Sequence, residues 1–316
     1  MSSVMITGAN GFVGSALCSY LKDRGHHVVG VVRDAEKLTN RIADEYRSVG
    51  DISESTDWAP LTKGVDYIVH LAARVHIMNV QSDAERALYY SVNTKATEHL
   101  AQAAIKAGVK RLLYLSSIKV NGEYTESEPF QADDIPAPSD DYAKSKFEAE
   151  SILATVTAGN ALEYVIIRPP LIYGQGVKGN IRRLYKLIAL GLPLPLAGID
   201  NKRDMVSLYN LCSLIGTCIN HPRAGNEVFL VSDGESLSTP AIVRLIANAM
   251  GRSVALFSVP VFLLKILGRL TGKSNEIFRL TSSLEVDINK TKKLLDWNPE
   301  LHREEEFSSI VKFFNN

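Results

Sequence analysis

The sequence predicts an α/β fold, a doubly wound parallel sheet with a smaller C-terminal lobe, and three observations predict it. Short apolar runs alternate with helical stretches through the first half of the chain, the pattern of βαβ units with helices on both sheet faces. A glycine-rich run, Thr7-Gly-Ala-Asn-Gly-Phe-Val-Gly14, joins the first strand to the first helix. Further on, Tyr142-Ala-Lys-Ser-Lys146 sets a tyrosine and a lysine one helical turn apart on a shared face.

In chain order, the apolar runs and their breakers place a strand at residues 3–7, a helix at 12–24 and a strand at 27–32. Strands follow near 66–70 and 111–116, then the helix bearing Tyr142 and the strand from Leu162 to Arg168. After Pro169-Pro170 the pattern changes to scattered glycines and prolines, which marks a crossing into a second lobe. Asp204-Met-Val-Ser-Leu208 reads as a return towards the sheet. The expected division is 1–175 with a return segment at about 200–225 for the sheet domain, and 176–199 with 226–316 for the lobe. No internal repeat or linker interrupts it.

The chain has 316 residues and is 46% hydrophobic, enough for a large core. Its 35 basic and 35 acidic residues leave no net charge, which argues against nucleic acid as a partner. Cys18, Cys212 and Cys218 lack metal-ligand spacing and read as reduced structural thiols, so a cytoplasmic location without a metal is expected. An apolar strand at Val4 with no cationic segment before it argues against a signal peptide. The apolar run Val259–Gly268 is too short to span a bilayer; it reads as a lobe helix, with peripheral membrane contact left open.

A glycine turn before a helix N-terminus lets the backbone approach a pyrophosphate whose charge the helix end stabilises. Gly8, Gly11 and Gly14 supply that turn. At the end of the second strand, where a carboxylate would hold the ribose of NAD, stands Arg33, which can pair with a 2′-phosphate. NADP(H) is therefore favoured and NAD(H) is possible; the competing reading makes Arg33 a solvated side chain and gives the carboxylate role to Asp34. A tyrosine ionises near pH 10 in water, and a cation fixed beside it stabilises the phenolate by about 3–4 kcal/mol. Lys146 is expected to do this for Tyr142, the residue expected to handle the proton in a hydride transfer.

With Gly50-Asp51-Ile52, His70-Leu-Ala-Ala73, Asn93, Leu115-Ser-Ser117 and Arg168-Pro-Pro-Leu-Ile-Tyr-Gly174 added, the chain resembles the extended short-chain dehydrogenase/reductases that act on nucleotide sugars. The resemblance covers nearly the whole length and implies a Rossmann domain with a sugar-nucleotide-binding lobe. It implies Ser117, Tyr142 and Lys146 as the catalytic set, with Ser116 as the competitor for the serine role. Cofactor contacts would come from Gly8, Asn10, Gly11, Phe12, Val13, Gly14, Arg33, Asp51, Ile52, Leu71, Ala72, Ala73, Asn93, Tyr142, Lys146 and Pro169. A UDP-sugar would be held by Ser117, Asn180 at the start of a helix over 180–190, Arg203 and Arg279. Arg74 and His76 could face the sugar or be incidental loop residues. Members usually form homodimers through long helices, and Ile152, Leu153 and Val156 could serve this or pack on the sheet.

The resembling family contains dehydratases, epimerases and ketoreductases. Dehydratases carry acidic residues just after the catalytic serine or threonine; here Ile118 and Lys119 stand there and disfavour elimination. Asn121 replaces a tyrosine usual in epimerases, and Leu171 replaces an asparagine. With Arg33, these departures favour an NAD(P)H-dependent reductase of a UDP-4-keto-6-deoxy-hexose, as in bacterial surface-polysaccharide pathways that form UDP-N-acetylquinovosamine. A UDP-glucose or UDP-N-acetylglucosamine 4-epimerase is the alternative, and a non-catalytic NADP(H)-binding sensor is a third.

Overall fold

The computed structural model describes residues 2–75, 82–300 and 303–315. Nine strands are present among them: β1 Ser3–Thr7, β2 His27–Val32, β3 Glu45–Ser48, β4 Tyr67–His70, β5 Arg111–Leu115, β6 Glu163–Arg168, β7 Leu171–Tyr173, β8 Met205–Ser207 and β9 Glu227–Leu230. The helices are α1 Phe12–Lys22, α2 Ala59–Thr62, α3 Asp83–Tyr89, α4 Ala96–Ala107, α5 Asp141–Thr157, α6 Asn180–Ala189, α7 Leu208–Asn220, α8 Thr239–Ala249, α9 Val261–Leu270, α10 Ser274–Thr281, α11 Asn289–Leu295 and α12 Arg303–Asn315.

Seven strands form one parallel sheet in the order β3-β2-β1-β4-β5-β6-β9. Strand order reverses between β1 and β4, and at such a switch point the loops after the two strands part and leave a crevice at the carboxyl edge. The strands read Val-Met-Ile, Val-Val-Gly-Val-Val and Val-Ile-Ile because both faces are covered. One face packs against α1 and α7 and the other against α2, α4 and α5. Leu153 lies wholly in the second of these cores and Val156 packs against it, the sheet-packing alternative for these two α5 side chains. The three cysteines are free and buried, and burial pushes the Cys18 and Cys212 thiols up to about 12, as inert structural groups require.

Two parts of the sheet depart from the sequence expectation. Strand β3, Glu-Tyr-Arg-Ser, has too little apolar character to be read as a strand, and it forms because it lies at the sheet edge beside β2. The division at residue 226 is also corrected. Strand β9 is the seventh strand of the sheet, and Val286, Ile288, Leu295 and Trp297 pack into the core with Val4 and Phe229, so much of the assumed lobe belongs to the sheet domain. The short run Glu-Val-Phe-Leu gave no period to distinguish it from lobe structure.

The lobe core gathers α6, α8, α9 and α12 around Ile181, Leu184, Ile246 and Phe307. At its junction with the sheet domain, Asp233 accepts hydrogen bonds from Tyr173 Oη (2.5 Å), Ser207 N (2.9 Å) and Asn210 Nδ2 (2.8 Å). Burial, reinforced by the Asp233 charge, pushes the nearby Glu306 carboxyl up from 4.5 to about 7. Between about 4.5 and 7 the folded protein holds a proton that the unfolded chain has released, so this contribution to stability is present below 4.5 and lost as pH rises through about 7. Glu306→Gln is therefore expected to stabilise the protein by about 1–2 kcal/mol above pH 7, after allowance for partial solvent exposure, and to change little near pH 4.5. Urea unfolding at the two pH values checks this; equal effects at both would show that Glu306 is not the titrating group.

Candidate active site

The crevice at the switch point is a cleft of ≈ 710 Å³ lined by Gly8, Asn10, Arg33, Asp51, Ile52, Ala72, Ala73 and Arg74, among others. Its floor is glycine for a steric reason. Gly8 has φ +69 and lies so close to Ala72 that a Cβ would meet its backbone at 3.3 Å, and a Cβ on Gly14 would fall 2.1 Å from the Gly8 carbonyl oxygen. Gly11 caps α1 without a side-chain acceptor, which leaves the first-turn amides of Phe12 and Val13 suited to an anion. The Phe12 ring turns away from this role and packs on the lobe core. At the far end Arg33 Nε pairs with Asp51 Oδ1 at 2.6 Å, both groups being largely exposed. Asp34, the alternative ribose carboxylate, instead accepts from Glu36 N at 3.0 Å and pairs with Lys37 at 2.9 Å. This cradle fits a dinucleotide: a glycine floor and helix N-terminus for the pyrophosphate, and polar groups at the adenosine end.

The wall after β4 is fixed by the buried side chains of Thr7, His70, Thr97 and Asn93. Thr7 Oγ1 accepts from the amides of Leu71 and Ala72, both at 3.1 Å, and sits 2.7 Å from His70 Nδ1. Thr97 Oγ1 donates to Asn93 O at 2.7 Å and is 3.1 Å from His70 Nε2. Thr97 therefore accepts from Nε2–H, and Nδ1 accepts the Thr7 proton, a neutral imidazole with one defined tautomer. Burial, then the Lys146 charge, lowers His70 to about 3 and keeps it neutral. Asn93 does not line the cleft; its side chain clamps the Arg74 amide (2.8 Å), the Arg74 carbonyl (3.1 Å) and Ser145 Oγ (3.0 Å). It thus ties the cleft wall to α5. His76 lies outside the described residues.

A second cleft of ≈ 280 Å³ opens between the sheet edge and the lobe. It brings together Ser117, Tyr142, Asn180, Arg203 and Arg279, five residues from five separate segments of the chain. Leu171 and Pro169 line it as well, so Pro169, expected at the cofactor, borders this cleft. The Ser117 side chain lies beside the Tyr142 hydroxyl and favours its ionised form. Ser116 is excluded from that role because its hydroxyl points inward to the buried Glu150 carboxylate. Asp140 caps α5 by accepting from Ala143 N at 2.7 Å, and it also pairs with Lys119, which reaches Glu123 at 3.1 Å. Lys119 thus serves the cap of the helix that carries Tyr142, a contact between distant segments that sequence alone does not reveal.

The expected effect of Lys146 on Tyr142 is corrected. Burial, reinforced by Asp140, pushes the Tyr142 hydroxyl up to about 12, and the opposing influence is the Ser117 side chain. Lys146 is directed elsewhere: its Nζ donates to Leu115 O at 2.8 Å and lies 4.4 Å from the Tyr114 ring centroid. Burial lowers Lys146 to about 7, against the raising influence of Glu150. Asn121 is corrected too. It accepts from Arg168 Nη1 at 3.0 Å and donates to Gln131 O at 2.7 Å, buried and outside the cleft, so its identity says little about the substrate.

Residues 4–232 match the model of the NAD dependent epimerase/dehydratase family. The chain belongs to this family. It is 44% identical to a UDP-glucose 4-epimerase of Vibrio cholerae over 99% of this chain and 95% of that one. It is 27% identical to an N-acetyl-alpha-D-glucosaminyl-diphospho-ditrans,octacis-undecaprenol 4-epimerase of Escherichia coli O157:H7, over 86% of this chain and 81% of the relative. In fold it is similar to a UDP-glucuronic acid 4-epimerase of Bacillus cereus in complex with NAD, with TM-score 0.78, 20% identity and coverage of 99% and 98%. The epimerase/dehydratase family uses a nicotinamide cofactor, and the cleft at the β1/β4 switch point has the shape and groups for one.

Proposed function

We propose that this epimerase/dehydratase-family protein interconverts the C4 epimers of a UDP-linked hexose. The observation that carries the reading is the 44% identity to the Vibrio cholerae UDP-glucose 4-epimerase over nearly the full length of both chains. The cleft joining a Ser117–Tyr142 pair to two arginines agrees with it. A nicotinamide cofactor held over the Gly8–Gly14 turn at the switch point would supply the hydride acceptor and donor for C4. Tyr142 takes the proton of the C4 hydroxyl and gives it back, and Ser117 orients the same oxygen. Lys146, which gives one of its three N–H donors to Leu115 O, would offer another to the cofactor ribose. Arg203 and Arg279 grip the diphosphate: burial and the neighbouring Arg279 charge lower Arg203, and a bound dianion offsets that repulsion. Asn180 adds the N-terminus of α6, whose cap residue Gly179 offers no side-chain acceptor.

A second reading, reduction of a UDP-4-keto-6-deoxy-hexose by NADPH, is favoured by Arg33 at the adenosine end and by Leu171 in the cleft. Asn121, held by Arg168 and Gln131 outside the cleft, does not bear on it. Incubation with UDP-glucose or UDP-N-acetylglucosamine and NAD separates the two: the epimerase reading expects a mixture of C4 epimers with no net change in reduced nicotinamide. Stoichiometric consumption of NADPH by a 4-keto sugar nucleotide, with UDP-glucose left unchanged, would replace it by the reductase reading.

Cofactor choice is tested at Arg33. If its guanidinium meets a 2′-phosphate, Arg33→Ala lowers NADP affinity by about 10- to 100-fold and leaves NAD affinity nearly unchanged. Fluorescence titration of both reduced cofactors is the measurement. Equal changes for the two would return Arg33 to its ion pair with Asp51 and favour NAD.

A further inference from the structure

Helix α9 stands out from the lobe with only Leu264 and Gly268 buried, and Gly268 is where Ile277 of α10 presses close enough that a Cβ would meet it at 2.8 Å. The rest of the helix exposes Phe262 (61%), Leu263 (44%), Ile266 (48%), Leu267 (53%) and Leu270 (81%). The segment before α9 extends this apolar face. Phe257 N donates to Leu194 O at 3.1 Å and Leu194 N donates to Ala255 O at 2.9 Å, which fixes this segment, with its exposed Phe257, on the strand-like stretch around Leu194. An apolar patch of this kind on an otherwise ordinary surface marks a contact site.

The charges around it specify the contact. Residues 251–275 carry Arg252, Lys265, Arg269 and Lys273 and no aspartate or glutamate, in a chain whose basic and acidic residues are equal in number. Lys265 and Arg269 are exposed on α9 itself, one turn apart among the leucines. A protein partner that matched this face would need acidic and apolar groups interleaved at the same spacing. An anionic lipid surface offers both without register, acyl chains for the apolar side chains and headgroup phosphates for the cations. No helix among the described residues is long and apolar enough to cross a membrane, so α9 would lie in the interface plane.

We propose that α9 and the adjoining 251–259 segment form an interfacial docking surface for an anionic lipid bilayer. The placement has a consequence for the cleft, because α10, packed on α9, carries Phe278 and Arg279 into it. Docking through α9 would hold the cleft close to the bilayer surface.

The test is co-sedimentation of the full chain with vesicles of phosphatidylcholine alone and of phosphatidylcholine mixed with phosphatidylglycerol. The expected result is pelleting with the anionic vesicles and not the neutral ones, weakened by added salt. Phe262→Ser/Leu267→Ser is expected to lower the partition coefficient about tenfold or more, as is Lys265→Glu/Arg269→Glu, with an unchanged circular dichroism spectrum. Recovery of the unsubstituted chain in the supernatant with both vesicles would overturn the proposal. So would light scattering showing that the Phe262/Leu267 substitutions convert a dimer to a monomer, since the face would then belong to a second copy.

Discussion

Tyr142→Phe is expected to lower turnover by about 10²–10⁴-fold while leaving nicotinamide affinity close to that of the unsubstituted protein. The substitution removes only the hydroxyl beside Ser117; the ring keeps its edge contact with Tyr89 at 6.3 Å. A hydroxyl pushed up to about 12 stays protonated at neutral pH, so Tyr142 is ready to donate, and its readiness to accept must come from groups brought by bound ligands. Lys146, lowered to about 7 by burial, loses its charge as pH rises through that value. If this charge is needed, activity falls on the alkaline side of about 7, and Lys146→Arg, which stays charged, removes that limb. Single-turnover kinetics across pH measure both. Unchanged turnover in Tyr142→Phe would move the proton handling to another group and would revive the reading of a binding protein without catalysis.

Glu150→Ala is expected to destabilise the fold by about 3–5 kcal/mol, because it strands a buried guanidinium. Arg168 donates from Nη2 to Glu150 Oε2 at 2.6 Å and from Nε to Oε1 at 3.0 Å, and both side chains are about 95% buried. Ser116 donates to the same carboxylate, so its loss also frees the strand end next to Ser117. Urea unfolding gives the magnitude. A double substitution of Glu150 and Arg168 by methionine should cost less than either single change, since no charge is then left unpaired. A single-variant loss below about 1 kcal/mol would mean that water reaches Arg168 and that the pair does not anchor the site.

Much of this arrangement was legible in the sequence because it depends on local pattern. The strand at Val4–Ile6, the glycines at 8, 11 and 14 and the four-residue spacing of Tyr142 and Lys146 are each set within one turn or one strand. Strand β3 and strand β9 were missed because four-residue segments, one polar and one mixed, acquire strand character only from the neighbour they pair with. The expected effect of Lys146 on Tyr142 and the weight given to Asn121 fail for a related reason. Sequence spacing says which face a side chain shares, and it does not say whether a carbonyl such as Leu115 O or a guanidinium such as Arg168 competes for it.

The sequence by itself determined the doubly wound sheet, the glycine cradle at its switch point and the pairing of a tyrosine with a lysine on one helix, since periodicity and steric necessity act over a few residues. Only the tertiary structure decided that Ser117 and not Ser116 faces the cleft, that Lys146 turns to Leu115 and Tyr114, and that α9 presents its leucines to the outside. Those outcomes depend on which groups from distant segments are buried together, where desolvation and hydrogen-bond competition decide each side chain's partner.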